Sequence, residues 1–308
     1  MTASPLVSII IPAYNVAPFI GETLDSIFAQ TVTDFEIIVV NDGSTDELEH
    51  VLKPYRGRIV YLRQENQGQG TARNAGLGAA RGKYVALLDG DDMWYPHYLE
   101  RMISVLNGYD VAYPNARIFG FRDQRKLFLD LFPSSQPVTY EKLLARECVV
   151  FVSALFRREP VAATGILFDR SKRGNEDLEF WLRLARSGLR FTFTREVLAR
   201  YRRRPDSCSQ SRSEERDIYV YERLLAEPGI TPAERRIIDA QIALARARIS
   251  LINAKKMIRD GKYEPALAAL TLVRAARPSL KVAMAMAGLR LAPRAMALFM
   301  NLRGADGW

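Results

Sequence analysis

Residues 84–94, "YVALLDGDDMW", join a run of apolar residues to a tight group of acids. Residues 84–88 are apolar without interruption, which is typical of a strand buried on both faces of a sheet. Asp89, Asp91 and Asp92 then place three carboxylates within four residues, where like charges repel each other. A bound Mg²⁺ or Mn²⁺ would explain the group, because both ions prefer oxygen ligands. An acidic turn that caps the following helix is the alternative.

Three earlier segments have the same apolar character. They are "LVSIII" (residues 6–11), "FEIIVV" (35–40) and "RIVYLR" (58–63), and helical patterns separate them, including one near residues 71–80. Strands that alternate with helices predict a mostly parallel sheet with right-handed crossovers. Ligands of such sheets bind beyond the carboxyl ends of the strands. A later stretch, "FVSALFRR" (151–158), predicts a strand that re-enters the sheet.

Polar residues follow each of the first four predicted strands. Tyr14 and Asn15 follow the first strand, Asp42 the second, residues 66–73 the third, and the acidic group the fourth. Because parallel strands end at the same edge of a sheet, these side chains predict a pocket there. The glycines of residues 66–73 resemble a dinucleotide fingerprint, but they follow the third strand and arginine takes the place of the last glycine, which disfavours hydride transfer.

The charge of the chain is unevenly distributed. Its 308 residues carry a formal net charge of +9, but residues 1–215 hold 28 Lys and Arg against 27 Asp and Glu. Residues 216–308 hold 16 against 8. We therefore predict a nearly neutral first domain over residues 1–215 and a basic helical module over residues 216–308.

Cysteine content and hydropathy bear on the compartment. Cys148 and Cys208 form neither a disulfide framework nor a zinc-ligand pattern, which favours a reducing compartment. No secretory signal and no run of 18 uncharged apolar residues is visible. We expect a cytoplasmic protein, and peripheral attachment to the inner face of the cell membrane is the open alternative.

Five motifs occur in order over about residues 6–210: "VSIIIPAYN", "EIIVVNDGSTD", "NQGQGTARNAG", "YVALLDGDDMW" and "NEDLEFWLRLARSG". Together they resemble the family 2 glycosyltransferases, inverting enzymes of the bacterial cell-surface polysaccharide type. The resemblance implies an α/β fold of the GT-A type, with a mostly parallel mixed sheet flanked by helices and a helical C-terminal extension. It also implies a UDP- or dTDP-sugar donor, Mn²⁺ or Mg²⁺, and a glycan or lipid-linked saccharide acceptor.

The resemblance also assigns the nucleotide side of the site. It implies that Pro12, Ala13, Tyr14 and Asp42 hold the base and ribose of the donor. Arg73 lies in the nucleotide-side motif and would support the base or the pocket. These roles rest on the match of the motifs alone.

The resemblance assigns the reacting groups as well. Asp89 and Asp91 correspond to the "DxD" carboxylates, which grip the ribose and the metal that bridges the diphosphate. Asp177 corresponds to the general base on the acceptor side, and Glu176 is the second choice. Inversion at an anomeric carbon needs one base and neutralisation of the leaving diphosphate, which agrees with this assignment. Alternatively, both acids only stabilise a helix N-terminus.

One stretch departs from the family pattern. The family often has Tyr-Arg-x-His-x-x-Ser near the metal or diphosphate, whereas residues 201–209 are "YRRRPDSCS", with Arg204 at the histidine position. Arginine cannot ligate a cation, but Arg202 and Arg204 could neutralise phosphate oxygens. A basic surface without a role in the site is the alternative.

The C-terminal module contains helical patterns at residues 232–259 and 262–277. Beyond them, residues 280–303 are rich in Ala, Met and Leu and contain Lys281, Arg290, Arg294 and Arg303 but no acid. Such a segment could lie on an anionic membrane surface, or it could pack on the catalytic domain or a partner subunit.

Other functions agree less well with these features. A nucleic-acid binder is disfavoured because the motif-bearing domain is nearly neutral. A sugar-1-phosphate nucleotidyltransferase would begin with a Gly-rich phosphate loop, and "IPAYN" stands there instead. A degenerate transferase domain that serves as an assembly scaffold stays as the alternative to an active enzyme.

Overall fold

The computed structural model describes residues 4–121, 126–171, 175–205 and 214–295. The chain divides into two compact units, residues 1–211 and residues 212–308. The first unit contains a mixed sheet with helices, and the second is helical. The predicted α/β class with a helical C-terminal region is confirmed.

Within the described residues, the sheet of the first unit has eight strands in the order β3-β2-β1-β4-β7-β6-β8-β5. They are β1 (Val7–Ala13), β2 (Phe35–Asp42), β3 (Val60–Gln64), β4 (Tyr84–Leu87), β5 (Met93–Trp94), β6 (Val111–Gly120), β7 (Leu155–Arg157) and β8 (Phe191–Arg203). β1 pairs in parallel with β2 and β4, and β2 with β3, as predicted. β7 runs antiparallel to β4 and β6, while β8 runs parallel to β6 and antiparallel to β5.

Helices of the first unit connect these strands. They are α1 (Ala17–Phe28), α2 (Leu48–Val51), α3 (Gln69–Ala79), α4 (Tyr98–Val105), α5 (Phe128–Leu131), α6 (Tyr140–Leu144), α7 (Arg158–Ala163) and α8 (Glu176–Arg186). Every residue of β1 is buried, which explains its uninterrupted apolar sequence. α3 packs so closely on β1 that a Cβ on Gly76 would lie 2.3 Å from Cγ2 of Ile10. Only glycine permits this approach.

The strand predicted over residues 151–158 is shorter than expected. Only Leu155–Arg157 pairs with the sheet. Ser153 instead contacts the segment after β4: its hydroxyl accepts a hydrogen bond from Trp94 Nε1 at 2.6 Å, and its carbonyl accepts one from Tyr98 at 3.0 Å. These bonds satisfy buried polar groups outside the sheet, so the apolar pattern overstates the strand.

A polar cluster of the buried Ser8 and Glu36 with the exposed Arg81 joins the amino ends of three strands. Ser8 and Glu36 lie opposite each other on β1 and β2, and Ser8 Oγ donates to Glu36 Oε1 at 2.6 Å. Arg81, between α3 and β4, donates its backbone N–H to Oε1 and its guanidinium to Oε2 at 2.7 Å. Burial acts to raise the pKa of Glu36, but these hydrogen bonds outweigh it and lower the pKa.

We expect Glu36→Ala to lower the free energy of unfolding by about 1–3 kcal/mol, because it leaves the buried hydroxyl of Ser8 without its acceptor. The lowered pKa sets the sign of the pH dependence. The contribution of Glu36 is present above its ordinary pKa of 4.5 and is lost as the pH falls through the folded-state value. Urea unfolding at several pH values measures both effects.

Glu47→Ala is the matched control, because Glu47 is exposed and its side chain caps no helix. A loss of stability at neutral pH no larger for Glu36→Ala than for Glu47→Ala would contradict the structural role of the cluster.

The described part of the second unit contains α9 (Glu214–Leu225), α10 (Pro232–Arg259), α11 (Tyr263–Ala276) and α12 (Leu280–Leu291). α10 begins at a capping box in which Thr231 and Glu234 exchange hydrogen bonds. α10 ends before Gly261, whose φ of 74° is the left-handed conformation that glycine adopts readily. The predicted helices of residues 232–259 and 262–277 are confirmed. No helix within the described residues is long and apolar enough to cross a membrane.

Candidate active site

The acidic group after β4 forms a tight turn. Asp92 N donates to the carbonyl of Asp89 at 3.0 Å, and β5 then pairs antiparallel with β8 through Met93 and Arg200. This pairing brings the turn beside the carboxyl end of β8. The segment of residues 202–204 therefore lies next to the acids.

Asp92 has a structural position in this turn. It is 1% exposed, and its Oδ1 accepts the backbone N–H of Arg202 at 2.8 Å. Burial raises the pKa of Asp92 well above its ordinary value, and the charges of Asp91 and Asp89 add to the shift. Thr23 on α1 also donates to the carbonyl of Asp92 at 2.8 Å. Asp92 thus joins the end of β8 to the acidic turn, a role that its sequence neighbours do not indicate.

Asp91 is paired with Arg204. Nε of Arg204 lies 2.9 Å from Oδ2 of Asp91, and both side chains are less than one fifth exposed, at 19% and 15%. Burial and the charge of Asp89 raise the pKa of Asp91 to about 6, although Arg204 opposes the shift. Arg202 donates from Nε to the carbonyl of Asp91 at 2.8 Å. Both arginines therefore contact the acidic turn.

Two aromatic rings support these arginines. The guanidinium carbon of Arg202 lies 4.8 Å from the ring centroid of Phe19 and 4.5 Å from that of Phe119. The guanidinium carbon of Arg204 lies 5.0 Å from the same Phe19 ring. Glu22, three residues after Phe19 on α1, accepts a further hydrogen bond from Arg202. The helical spacing of Phe19 and Glu22 indicates a shared face, but nothing local in the sequence connects that face to β8.

Asp89 is paired with Arg73, which is 2% exposed. Nη2 of Arg73 donates to Oδ1 of Asp89 and Nη1 donates to Oε1 of Glu176, each at 2.8 Å. Burial acts to lower the pKa of Arg73, but the charges of Asp89, Glu176 and Asp177 raise it above its ordinary value. Arg73 stays protonated and joins three elements: α3, the end of β4 and the start of α8.

The segment before α8 is fastened to α3. Asn74 exchanges two hydrogen bonds with the backbone of Phe168, at 2.8 and 2.9 Å. A Cβ on Gly70 would lie 2.3 Å from the carbonyl oxygen of Asp169, so glycine is required at this contact. Asn175 has a left-handed φ of 59° and begins α8. This backbone brings the first residues of α8 to Arg73.

Glu176 and Asp177 are neighbours with different environments. Glu176 is held by Arg73, and burial raises the pKa of Glu176 against the opposing charge of that arginine. Asp177 is partly exposed and accepts the N–H of Leu178 at 2.8 Å. Within the described parts of the chain, Glu176 forms an ion pair and Asp177 forms none.

Asp42 organises the loop that leads into α3. Its Oδ1 accepts hydrogen bonds from the side chain of Gln64 and the backbone N–H of Gln67, and its Oδ2 accepts one from the backbone N–H of Gly68. The side chain is 2% exposed. These contacts were not expected from the motif, and the role of Asp42 toward a nucleoside stays a prediction.

Pro12, Ala13 and Tyr14 lie at the carboxyl end of β1. Pro12 and Ala13 are buried, whereas Tyr14 is 45% exposed. The following residue, Asn15, donates its backbone N–H to Ser44 Oγ at 3.1 Å, which joins the ends of β1 and β2. Together with the contacts of Asp42 and Arg73, this bond confirms that the four polar segments lie at one edge of the sheet.

The acids after β4 could contribute to a metal site. Over the described residues, no group of three or more His, Cys, Asp or Glu side chains could hold a metal ion. Asp89 and Asp91 offer two carboxylates, each with one oxygen already paired to an arginine. This donor set fits a hard cation that takes its other oxygen ligands from water and substrate phosphates. It does not fit a cage built from protein ligands alone.

Comparison with protein families gives a match over the region that contains most of this site. The family described as "Glycosyl transferase family 2" matches residues 8–163. The chain belongs to this family. Its predicted membership is thereby confirmed.

Curated relatives of this chain are also named as glycosyltransferases. RP339 of Rickettsia prowazekii (strain Madrid E), an uncharacterized glycosyltransferase, is 37% identical over 214 residues, which cover 65% of this chain and 64% of RP339. TuaG of Bacillus subtilis (strain 168), named a putative teichuronic acid biosynthesis glycosyltransferase, is 33% identical over 214 residues, covering 68% of this chain and 83% of TuaG. The match therefore spans less than two thirds of RP339.

Solved structures of similar fold cover nearly the whole chain. TarS 1-349 of S. aureus in complex with UDP-GlcNAc has a TM-score of 0.65 at 20% identity, over 96% of this chain and 88% of that one. The mannosyltransferase PcManGT of Pyrobaculum calidifontis, in complex with GDP-Man and Mn²⁺, has a TM-score of 0.59 at 22% identity. The alignment covers 98% of this chain and 87% of PcManGT. At these identities the likeness concerns the fold, which agrees with the predicted GT-A type.

We expect Arg73→Met to lower the free energy of unfolding of the protein by about 3–5 kcal/mol. The substitution keeps the length of the side chain but leaves Asp89 and Glu176 facing each other as largely buried acids without a cation. Urea unfolding measures the change. Adding Glu176→Gln to Arg73→Met should recover part of the loss, because it removes one of the unpaired charges.

Arg63→Met is the matched control. Arg63 pairs with Glu49 at the surface, with side chains 65% and 43% exposed, and its loss should cost at most about 1 kcal/mol. Equal effects of Arg73→Met and Arg63→Met would contradict the role assigned to the buried pair.

Proposed function

We propose that the chain transfers a sugar, with inversion, from a nucleoside-diphosphate sugar to an acceptor hydroxyl during polysaccharide or glycolipid assembly. Family membership supports glycosyl transfer, and the name of TuaG supports polysaccharide synthesis. The observation that carries the proposal is the double ion pair of Arg73. It holds Asp89 of the donor side and Glu176 of α8 on one guanidinium, which would bring both halves of a displacement reaction together.

The proposal assigns the base and ribose of the donor to the edge formed by β1 and β2. The ring of Tyr14 is exposed enough to contact a base, and the buried Pro12 and Ala13 precede it at the end of β1. Asp42 acts on this side by holding the loop ahead of α3. We propose a uracil or thymine nucleotide, and the UDP-GlcNAc complex of TarS supports the former.

The diphosphate is assigned to the acidic turn and the end of β8. Mn²⁺ or Mg²⁺ held by Asp89 and Asp91 would neutralise the charge that develops on the leaving diphosphate, and the Mn²⁺ complex of PcManGT supports this assignment. Arg202 and Arg204 supply fixed positive charge at the same place. Because Arg204 already occupies one oxygen of Asp91, it competes with a cation for that carboxylate.

We expect Arg204→Ala to change the affinities for Mn²⁺ and UDP in opposite directions. Without nucleotide, Mn²⁺ should bind more tightly, because the carboxylate of Asp91 no longer pairs with a guanidinium. At saturating Mn²⁺, UDP should bind about 10-fold to 100-fold more weakly, because a charged hydrogen-bond donor is lost. Isothermal titration calorimetry measures both affinities.

Arg190→Ala is the control for net charge. Arg190 precedes β8 at its opposite end and is an exposed partner of Asp110. Weaker binding of both Mn²⁺ and UDP by Arg204→Ala, or equal effects of the two variants, would contradict the competition.

The proton acceptor in the proposal is Asp177. Glu176 is held by Arg73, so it positions the start of α8, while the partly exposed Asp177 faces no such partner within the described residues. A carboxylate in this position would take the proton of the acceptor hydroxyl as the oxygen attacks the anomeric carbon. Arg73 then keeps this base at a fixed place relative to Asp89.

We expect Asp177→Asn to lower kcat about 10²-fold to 10⁴-fold, because the amide cannot accept the proton. Thermal stabilisation by UDP and Mn²⁺ should persist, since the donor contacts are intact. A panel of UDP-, dTDP- and GDP-sugars, followed by release of the diphosphate, identifies the donor for this measurement. The anomeric configuration of the product, determined by NMR, tests inversion.

Glu176→Gln is the comparison variant. A larger loss of kcat in Glu176→Gln than in Asp177→Asn would assign the base to Glu176.

A scaffold function is the second candidate. The pairing of Asp91 with Arg204 favours a scaffold, because Arg204 occupies a carboxylate oxygen that a metal would use. Failure of UDP, dTDP and GDP, each with Mn²⁺, to raise Tm would support the scaffold over the enzyme.

A further inference from the structure

α12 of the second unit is apolar on two opposite sides. Its buried side packs on α10 and α11 through Val282, Ala285, Met286 and Leu289. On the other side Leu280, Met284 and Leu291 are 78%, 62% and 86% exposed, and Ala287 is exposed between them. The exposed residues, which we name the α12 stripe, are spaced by four, three and four positions and therefore share one face of the helix.

Positive charges border the α12 stripe. At about 100° per residue, Lys281 lies about 90° from the middle of the stripe on one side and Arg290 about 90° on the other. Both are exposed, as are Arg277 before the helix and Arg294 after it. The sequence contains no Asp or Glu from residue 266 to residue 305. The exposed apolar stripe is thus bordered by positive charges only, within the described residues of this segment.

We propose that the α12 stripe binds the surface of an anionic lipid bilayer. A helix of 12 residues is about 18 Å long, which suits a segment that lies in the interface with its apolar side chains among the acyl chains. Lysine and arginine at the borders of such a face extend their charged ends to lipid phosphates. Basic residues near an anionic membrane are attracted to it, so these four residues favour this surface over a neutral one.

A second copy of the chain suits the stripe less well. In a two-fold symmetric dimer the same surface patch meets itself, so the basic borders of the two copies would face each other. Repulsion between like charges would oppose the gain from the buried leucines. Charge complementarity therefore favours an anionic membrane as the partner of the stripe. The proposed sugar transfer does not require this membrane binding.

Co-sedimentation of the full chain with vesicles tests the proposal. Wild-type protein should sediment with vesicles of phosphatidylcholine and phosphatidylserine, less at high salt, and little with phosphatidylcholine alone. Leu280→Glu with Leu291→Glu should weaken this binding at least about 10-fold, because two leucines leave the interface and two negative charges are added. Lys281→Gln with Arg290→Gln should reduce the preference for phosphatidylserine.

Ala243→Glu with Ile252→Glu is the matched control, since both residues are exposed on α10 and the variant has the same net charge. Equal binding by the wild type, the stripe variant and the control would overturn the proposal. So would light scattering that shows a dimer dispersed by the stripe variant, without vesicle binding by the wild type. Stabilisation by UDP and Mn²⁺ reports on the sugar-transfer proposal separately, because no stripe residue belongs to the candidate site.

Discussion

The buried guanidinium of Arg73 is the constraint on which the candidate site depends. A charge removed from water is costly unless it is paired, and Arg73 meets this requirement through Asp89, 16 residues away, and Glu176, 103 residues away. Both acids must therefore approach α3 when the protein folds. The end of β4 and the start of α8 become neighbours as a result, and Gly70 is small enough to let the chain ahead of α8 reach the helix.

The three acids after β4 have protein partners that their local sequence does not identify. The sequence predicts a bound cation between them, with a helix-capping turn as the alternative. The structure also gives each acid its own protein partner: Asp89 pairs with Arg73, Asp91 with Arg204, and Asp92 with the backbone of Arg202. A cation held by Asp89 and Asp91 would act in addition to these partners.

Local patterns predicted most of the sheet, and distant contacts explain what they missed. The apolar runs of β1, β2 and β4 are long and uninterrupted, so their burial and parallel direction could be inferred from the sequence. The length of β7 could not, because it depends on the bonds of Ser153 to residues about 55–60 positions earlier. Arg73 was expected near the nucleotide, but its link to Glu176 has no local signal. Among the contacts of Arg73 described here, the one with Gln69 could be inferred from the sequence, because the two residues are one helical turn apart.

Arg73 gives the adjacent acids Glu176 and Asp177 different environments, because it pairs with Glu176. Two acids at a helix N-terminus would both be stabilised by the helix dipole, and that effect alone cannot separate them. The ion pair does separate them, because the buried Arg73 holds Glu176 in a fixed place, while its neighbour Asp177 is partly exposed. Two carboxylates in one active site commonly take different catalytic roles because their environments differ. We therefore propose that Glu176 positions the start of α8 and that Asp177 meets the acceptor.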